Sequence, residues 1–146
     1  DISGVKFYND SKATSVDATL KALEAMSESD GQTILILGGR GKNAPYAPLV
    51  PLIESSVRAL VLIGEDADNI ESQLRGTATI ERAVTLEDAA AIAFKLAEVG
   101  DNVLLAPACA SFDMFRSFEE RGEVFKAAVR SLERSKVESR NSTNAA

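Results

Sequence analysis

Thr33-Ile34-Leu35-Ile36-Leu37 is a short run without a charge, and Gly38-Gly39-Arg40-Gly41-Lys42 follows it directly. A continuous apolar run rich in β-branched residues and closed by glycines reads as a strand covered on both faces, the kind found in parallel sheets, leading into a tight turn. Ala59-Leu60-Val61-Leu62-Ile63 and Asn102-Val103-Leu104-Leu105-Ala106 repeat the pattern; Val5-Lys6-Phe7-Tyr8 and the weaker Thr79-Ile80-Glu81-Arg82 complete the set. Helical spacing fills the gaps. Val16, Leu20 and Leu23 form one stripe, and Leu86, Ala90, Ala93 and Ala97 form another. Shorter helices fit between Pro48 and Ser56 and from Ala67 to Gln73. In the last segment Phe118, Gly122, Phe125, Val129 and Leu132 share a face while Glu119, Glu120, Glu123, Lys126, Arg130 and Glu133 point elsewhere, which places the Phe118 ring in the core. Strands alternating with helices predict an α/β domain with a mostly parallel sheet and helices on both faces.

The chain has 146 residues, 45% of them hydrophobic and 26% charged. That length supports one domain with a self-sufficient core. Residues 1–133 carry the periodic pattern; from about Glu133 the apolar stripe is lost, so 134–146 reads as a disordered tail. Asn141-Ser142-Thr143 there is taken as a chance match to a glycosylation acceptor. The chain begins with Asp1 and not Met, which suggests a piece of something larger whose function is shared with absent domains.

Composition excludes several chemistries. There is no His, so Ser-His-Asp and Cys-His catalysis, imidazole bases and His-containing zinc sites are ruled out, and no metal site is expected. A formal charge of -6 is the wrong sign for coating nucleic acid or an anionic membrane, and neither is expected as a partner. Cys109 is the only cysteine and cannot form an internal disulfide. Neither a signal peptide nor an apolar run of membrane-spanning length is present, so a cytoplasmic location is expected.

In open α/β sheets ligands bind beyond the carboxyl ends of the strands. Those ends lead into Asn9-Asp10-Ser11-Lys12-Ala13-Thr14, Gly38-Gly39-Arg40-Gly41-Lys42-Asn43, Gly64-Glu65-Asp66 and Pro107-Ala108-Cys109-Ala110-Ser111. A parallel sheet puts Lys12, Arg40, Lys42 and Ser111 on one edge. Strand-end loops are often polar for solvation alone, but donors in three of the four loops together suit a small anion, a carboxylate or a phosphate. The glycine segment is not a phosphate-binding P-loop: relative to Gly41-Lys42, Ile36 stands where the first glycine belongs and Asn43 where Ser or Thr belongs. Gly39, Gly41 and Ala44 satisfy the permissive dinucleotide fingerprint, yet Pro45 and Pro48 follow where a helix should open, so a tight turn is the better reading. Cys109, with no base to activate it, reads as a buried packing thiol. The Phe118 amide, in a first helical turn, is free to bind an anion even with its ring in the core.

The stretches Tyr8-Asn9-Asp10-Ser11-Lys12-Ala13-Thr14, Leu37-Gly38-Gly39-Arg40-Gly41-Lys42 and Pro107-Ala108-Cys109-Ala110-Ser111-Phe112-Asp113-Met114-Phe115, running into Phe118-Glu119-Glu120-Arg121-Gly122, closely resemble the C-terminal domain of the Mur ligase family, in its D-glutamate-adding branch. The resemblance implies a three-layer Rossmann-like fold, mostly parallel sheet with helices on both faces, and an ATP-dependent amide ligase of cytoplasmic peptidoglycan synthesis. In it a substrate carboxylate becomes an acyl phosphate and the amine of D-glutamate displaces phosphate. By motif match Lys12, Thr14, Lys42, Ser111 and Phe118 would hold the carboxylates of D-glutamate, with Lys12 also catalytic and Asp10 facing the nucleotide. ATP and Mg2+ would bind mainly to the missing central domain, which like the N-terminal domain lies outside this chain, leaving no cofactor on it and no turnover by it alone. Arg40 and Asn43-Ala44-Pro45 depart from some relatives, which makes the role of Lys42 less direct than that of Lys12. Two other readings of the residues stay open: a free-standing nucleotide-binding domain and a non-catalytic interaction domain.

Overall fold

The computed structural model describes residues 1–144. Its strands are β1 (Lys6–Asn9), β2 (Thr33–Gly38), β3 (Val57–Ile63), β4 (Thr79–Arg82) and β5 (Asn102–Leu105), in the spatial order β1-β5-β2-β3-β4. Every pairing is parallel. The helices are α1 (Val16–Met26), α2 (Val50–Ser56), α3 (Ala67–Leu74), α4 (Leu86–Leu96) and α5 (Phe118–Asn144). A 3₁₀ turn, Ala47–Leu49, precedes α2, so the expected helix from Pro48 is split in two, with prolines at the opening positions where no N–H is required.

The two-residue period sorts the strands into two cores. Leu35, Leu37, Leu60, Leu62 and Leu104 meet Leu23 of α1, Ile53 of α2, and Ile70 and Leu74 of α3. Ile34, Ile36, Val61, Ile63, Val103 and Leu105 face the other way, onto Leu86, Ala89, Ala90 and Ala93 of α4 and Phe125 of α5. Connection handedness accounts for this division. From β1 to β4 the chain steps in one direction and lays three helices on one face; the return from β4 to β5 reverses and lays α4 on the other. The central strands β2 and β5 are wholly buried, while the edge strands β1 and β4 carry exposed Lys6, Glu81 and Arg82, which discourages further strand addition.

Side-chain caps fix the helix starts: Ser15 Oγ accepts from Ala18 N, Thr85 Oγ1 from Asp88 N, and Ser117 Oγ from Glu120 N. At the far end α5 does not stop near Glu133. Its backbone is helical through Asn144, and the Lys136 ammonium lies 6.0 Å from the Phe94 ring centre. Of the expected tail, Ala145 and Ala146 lie outside the described residues, and no helix among the described residues is long and apolar enough to cross a membrane.

The amino end of the sheet is closed by a buried carboxylate. Asp101 accepts Arg58 Nε at 2.7 Å and the backbone N–H groups of Gln32 at 3.0 Å and Glu98 at 2.9 Å, tying the starts of β2, β3 and β5 together. Burial would raise this carboxyl, but the Arg58 hydrogen bond, the two amides and the guanidinium charge outweigh it and hold it below the usual carboxylate range. A depressed folded pKa stabilises the fold above the unfolded value, near 3.9, and that contribution is lost as pH falls through the folded value. Asp101→Asn should therefore cost about 2 kcal/mol at neutral pH. Denaturant melts of parent and variant should begin to converge below the unfolded carboxyl value and meet once the pH is below the folded one; an unchanged gap there would contradict the assignment.

Candidate functional site

β5 lies between β1 and β2, and the chain leaves these three neighbours toward opposite faces, α1 and α2 on one side and α5 on the other. A crevice opens at such a reversal. The loops beyond β1, β2 and β5 are fastened to one another across it. Ala108 N donates to Ala13 O at 2.9 Å, Gly38 N to Pro107 O at 3.0 Å, and Arg40 and Ala110 exchange backbone bonds at 2.9 and 3.0 Å. Gly39 makes the last pairing possible: at φ +139 it has no side chain, and a Cβ would stand 2.4 Å from Ala110 O.

The principal fastening is Arg121. Its residue is 1% exposed, and its guanidinium donates to Ser11 Oγ at 2.8 Å, to Ser11 O at 2.5 Å and to Cys109 O at 3.0 Å. Ser11 Oγ in turn donates to Phe118 O at 2.7 Å. One side chain on the first turn of α5 thereby joins the loops after β1 and β5. Burial pulls the guanidinium down to about 10, against an opposing pull from Cys109 and Asp113, so it stays charged at neutral pH.

Around this strut stand the residues expected from sequence. Lys42 Nζ donates to Thr14 O at 2.9 Å, bringing the loops after β2 and β1 into contact two residues from Lys12. Lys12 and Lys42 are exposed and have no carboxylate within 4 Å among the described residues. Arg40, grouped with them as a cation, is instead paired with Glu65 at 3.1 Å and supplies no free charge. Ser111 is 2% exposed, folded under a turn in which its carbonyl takes the N–H groups of Met114 and Phe115; its hydroxyl has no hydrogen-bond partner among the described residues. Asp10 and Lys12 line a cleft of about 230 Å³ together with Asn9, Phe118, Glu119 and Lys126.

Phe118 corrects the sequence reading. The ring expected in the core is 39% exposed and forms a wall of this cleft. Gly122 lies over Asn9, the last residue of β1, so one turn earlier α5 has passed the end of the strand and Phe118 stands against the loop after β1 instead of over the sheet. Gly122, Phe125, Val129 and Leu132 do follow the expected stripe.

Three residues were not singled out from sequence. Arg121 stands three positions after Phe118 and four before Phe125, on the buried face by spacing, and that position was the available signal. Tyr46 is buried, its hydroxyl bonded to Asp66 Oδ2 at 2.5 Å and lying 3.2 Å from Cys109 Sγ, and it anchors the far side of the Lys42 loop. Asp113, in the loop after Ser111, accepts the Glu65 N–H at 3.0 Å. Neither Tyr46 nor Asp113 has a spacing that marks it. No group of three or more Cys, Asp or Glu able to hold a metal occurs among the described residues.

Comparison with known proteins bears on this geometry. A family model described as Mur ligase, glutamate ligase domain, matches residues 1–109. The chain is 46% identical over 132 residues to a UDP-N-acetylmuramoylalanine--D-glutamate ligase of Marinobacter nauticus, covering 90% of this chain and 30% of that protein. It is 52% identical over 132 residues to the enzyme of that name from Solibacter usitatus, covering 90% and 29%. With the one from Myxococcus xanthus it shares 49% over 131 residues, covering 90% and 28%. The chain thus spans less than a third of the length of these curated relatives. A solved domain assigned to a UDP-N-acetylmuramate:L-alanyl-gamma-D-glutamyl-medo-diaminopimelate ligase from Haemophilus ducreyi shares the fold. Its TM-score is 0.50 at 13% identity, covering 87% of this chain and 94% of that one.

Cys109, expected as a packing thiol, is fully buried against Tyr46. Burial pushes its pKa up to about 11, so little thiolate exists at neutral pH. Iodoacetamide should label it only when denaturant opens the domain; rapid labelling of the native chain would contradict this placement.

Proposed function

The chain belongs to the Mur ligase family, as its glutamate ligase domain, and from that premise we propose that it is the C-terminal substrate domain of an ATP-dependent ligase. That enzyme joins D-glutamate to UDP-N-acetylmuramoyl-L-alanine in cytoplasmic peptidoglycan synthesis. The observation that carries the reading is the meeting of Lys42 with the Thr14 carbonyl at 2.9 Å beside Lys12. It sets two ammonium groups without carboxylate partners among the described residues on an edge where Arg40, Arg121 and Lys126 are already engaged.

D-glutamate carries two carboxylates and needs two donor-rich cradles. On this reading Lys12, Thr14, Lys42, the Ser111 hydroxyl and the Phe118 amide supply them, and Asp10 faces the nucleotide across the cleft. The reacting carboxylate belongs to the other substrate, which ATP converts to an acyl phosphate with release of ADP. The D-glutamate nitrogen attacks the acyl carbon, the nitrogen loses its proton, and the bond to phosphate breaks. The domain holds the amine where attack is productive, which removes much of the entropic part of the barrier. The Lys12 charge steadies the oxyanion that forms. ATP and Mg2+ are assigned to the domains outside this chain. The donor set on this chain does not suit them: its glycine loop lacks the P-loop pattern and its carboxylates form no metal cluster among the described residues. No step is therefore routed through a metal on this domain, and the chain alone should not turn over.

Replacing Ser111 with Ala in the ligase that contains this domain should raise KM for D-glutamate about tenfold to a hundredfold, the value of a hydrogen bond to a charged group. Lys12→Ala should also depress kcat, because its charge counts most at the oxyanion. Folded variants with parental D-glutamate kinetics would remove the proposed site. Titrating the chain with D-glutamate, ADP and NAD tests the alternative: preference for a nucleotide would favour a nucleotide-binding domain.

A further inference from the structure

Asp113 follows Ser111 by two residues and has no role in the site as assigned above. Its Oδ2 accepts the Glu65 N–H at 3.0 Å, while its Oδ1 is buried without a hydrogen-bond partner among the described residues. The turn beyond β3 is shaped to receive this carboxylate. Gly64 adopts φ +79, and a Cβ there would stand 2.6 Å from Asp113 Oδ2 and 2.6 Å from Gly39 Cα. Carboxylate and glycines meet at a point that leaves no room for a side chain at position 64.

The contact reaches further than one turn. Glu65, whose amide Asp113 holds, receives Arg40 Nε on its own carboxylate at 3.1 Å, and Asp66 N donates to Gly39 O at 3.0 Å. Arg40 stands two residues before Lys42. On the other side, the Ser111 carbonyl takes Met114 N at 3.1 Å and Phe115 N at 2.8 Å, so residues 111–115 move as one turn. A line of bonded groups therefore runs from Ser111 through Asp113 and Glu65 to Arg40 and the Lys42 loop. An Asp in a loop commonly does no more than form a solvated turn. A carboxylate with one buried, unpartnered oxygen is instead held against a desolvation cost. What the arrangement gives in return is a fixed spacing between two loops.

We propose that Asp113 is a positioning residue that, beyond the Arg40–Ala110 backbone exchange, holds the Ser111 turn at a set spacing from the Lys42 loop, and with it the separation of the two carboxylate cradles; this rests on the D-glutamate reading of the site. The carboxylates of a substrate are separated by a fixed number of bonds, so cradle spacing governs how well that substrate is held.

The test is steady-state kinetics on the full-length ligase carrying Asp113→Ala, Asp113→Asn, Ser111→Ala, and Asp113→Ala with Ser111→Ala, each checked by thermal melt. Asp113→Ala should raise KM for D-glutamate about tenfold or more and leave KM for ATP and for the uridine-nucleotide substrate unchanged. Simple loss of folded enzyme would lower kcat and leave every KM alone. Asp113→Asn keeps an acceptor for the Glu65 N–H and should stay within about threefold of the parent. Because Asp113 acts through Ser111, the double variant should fall well short of the product of the two single effects. A parental KM in Asp113→Ala, or full multiplication in the double variant, overturns the proposal. If Ser111→Ala raises KM while Asp113→Ala does not, the positioning role fails alone; if Ser111→Ala keeps a parental KM, the D-glutamate reading fails and takes this proposal with it. Should Asp113→Ala not fold, Asp113→Glu retains the charge and lengthens the brace: a raised KM for D-glutamate supports the proposal and a parental one overturns it.

Discussion

The carboxyl edge of this domain depends on a guanidinium that has been removed from water. Arg121 is buried and bonds to a hydroxyl and two backbone carbonyls, with no carboxylate among its hydrogen-bond partners. Taking an unpaired charge into a protein interior is costly, and here three charge-assisted bonds offset it. Their targets lie in the loops after β1 and β5, which are far apart in sequence and adjacent in the sheet. Neither loop can shift without stranding a buried donor or acceptor, so α5 and the two loops behave as one body.

That rigidity extends to the third loop by other means. The Arg40–Ala110 backbone exchange and the Gly38–Pro107 bond bring the glycine turn after β2 against the loop after β5, and the Tyr46 hydroxyl anchors the turn's far end through Asp66. Glycine at 39 permits the close approach. The proposed ligand groups themselves, Lys12 and Lys42, are exposed side chains on this fixed frame. A frame that does not reorganise when substrate arrives spends less of the binding free energy on ordering itself.

The sheet was legible in the sequence because its signal is local. Uninterrupted runs such as Leu35 to Leu37 and Leu60 to Ile63 can be covered on both faces only as inner strands, and the stripe of Leu86, Ala90 and Ala93 marks a helix that packs closely on them. The gathering of Lys12, Lys42 and Ser111 on one edge followed from parallel connectivity. Three features depended on contacts between distant residues. Phe118 fits the apolar stripe of α5, but the sheet ends one turn below it, and where a sheet ends is not written in a helix. Arg40 reads as a free cation until Glu65 is brought beside it. Asp113 and Tyr46 act across gaps of 48 and 20 residues, with no periodic spacing to announce them.

The charge pattern gives the edge its chemical character. With a net charge of -6, the chain as a whole repels an anion at long range, but at physiological ionic strength that field decays over about 8 Å. Binding therefore depends on which cations near the crevice remain unneutralised. There Arg40 is occupied by Glu65, just as elsewhere Arg58 is by Glu98 and Asp101 and Arg82 by Asp68 and Glu71. The branched, planar guanidinium suits these fixed ion pairs. At the crevice the unpaired cations are ammonium groups on flexible stems, which can follow a small anion as it settles. An acidic domain thus presents a local cationic edge because Arg40 and Arg121 are committed to structure there and Lys12 and Lys42 have no carboxylate partner among the described residues.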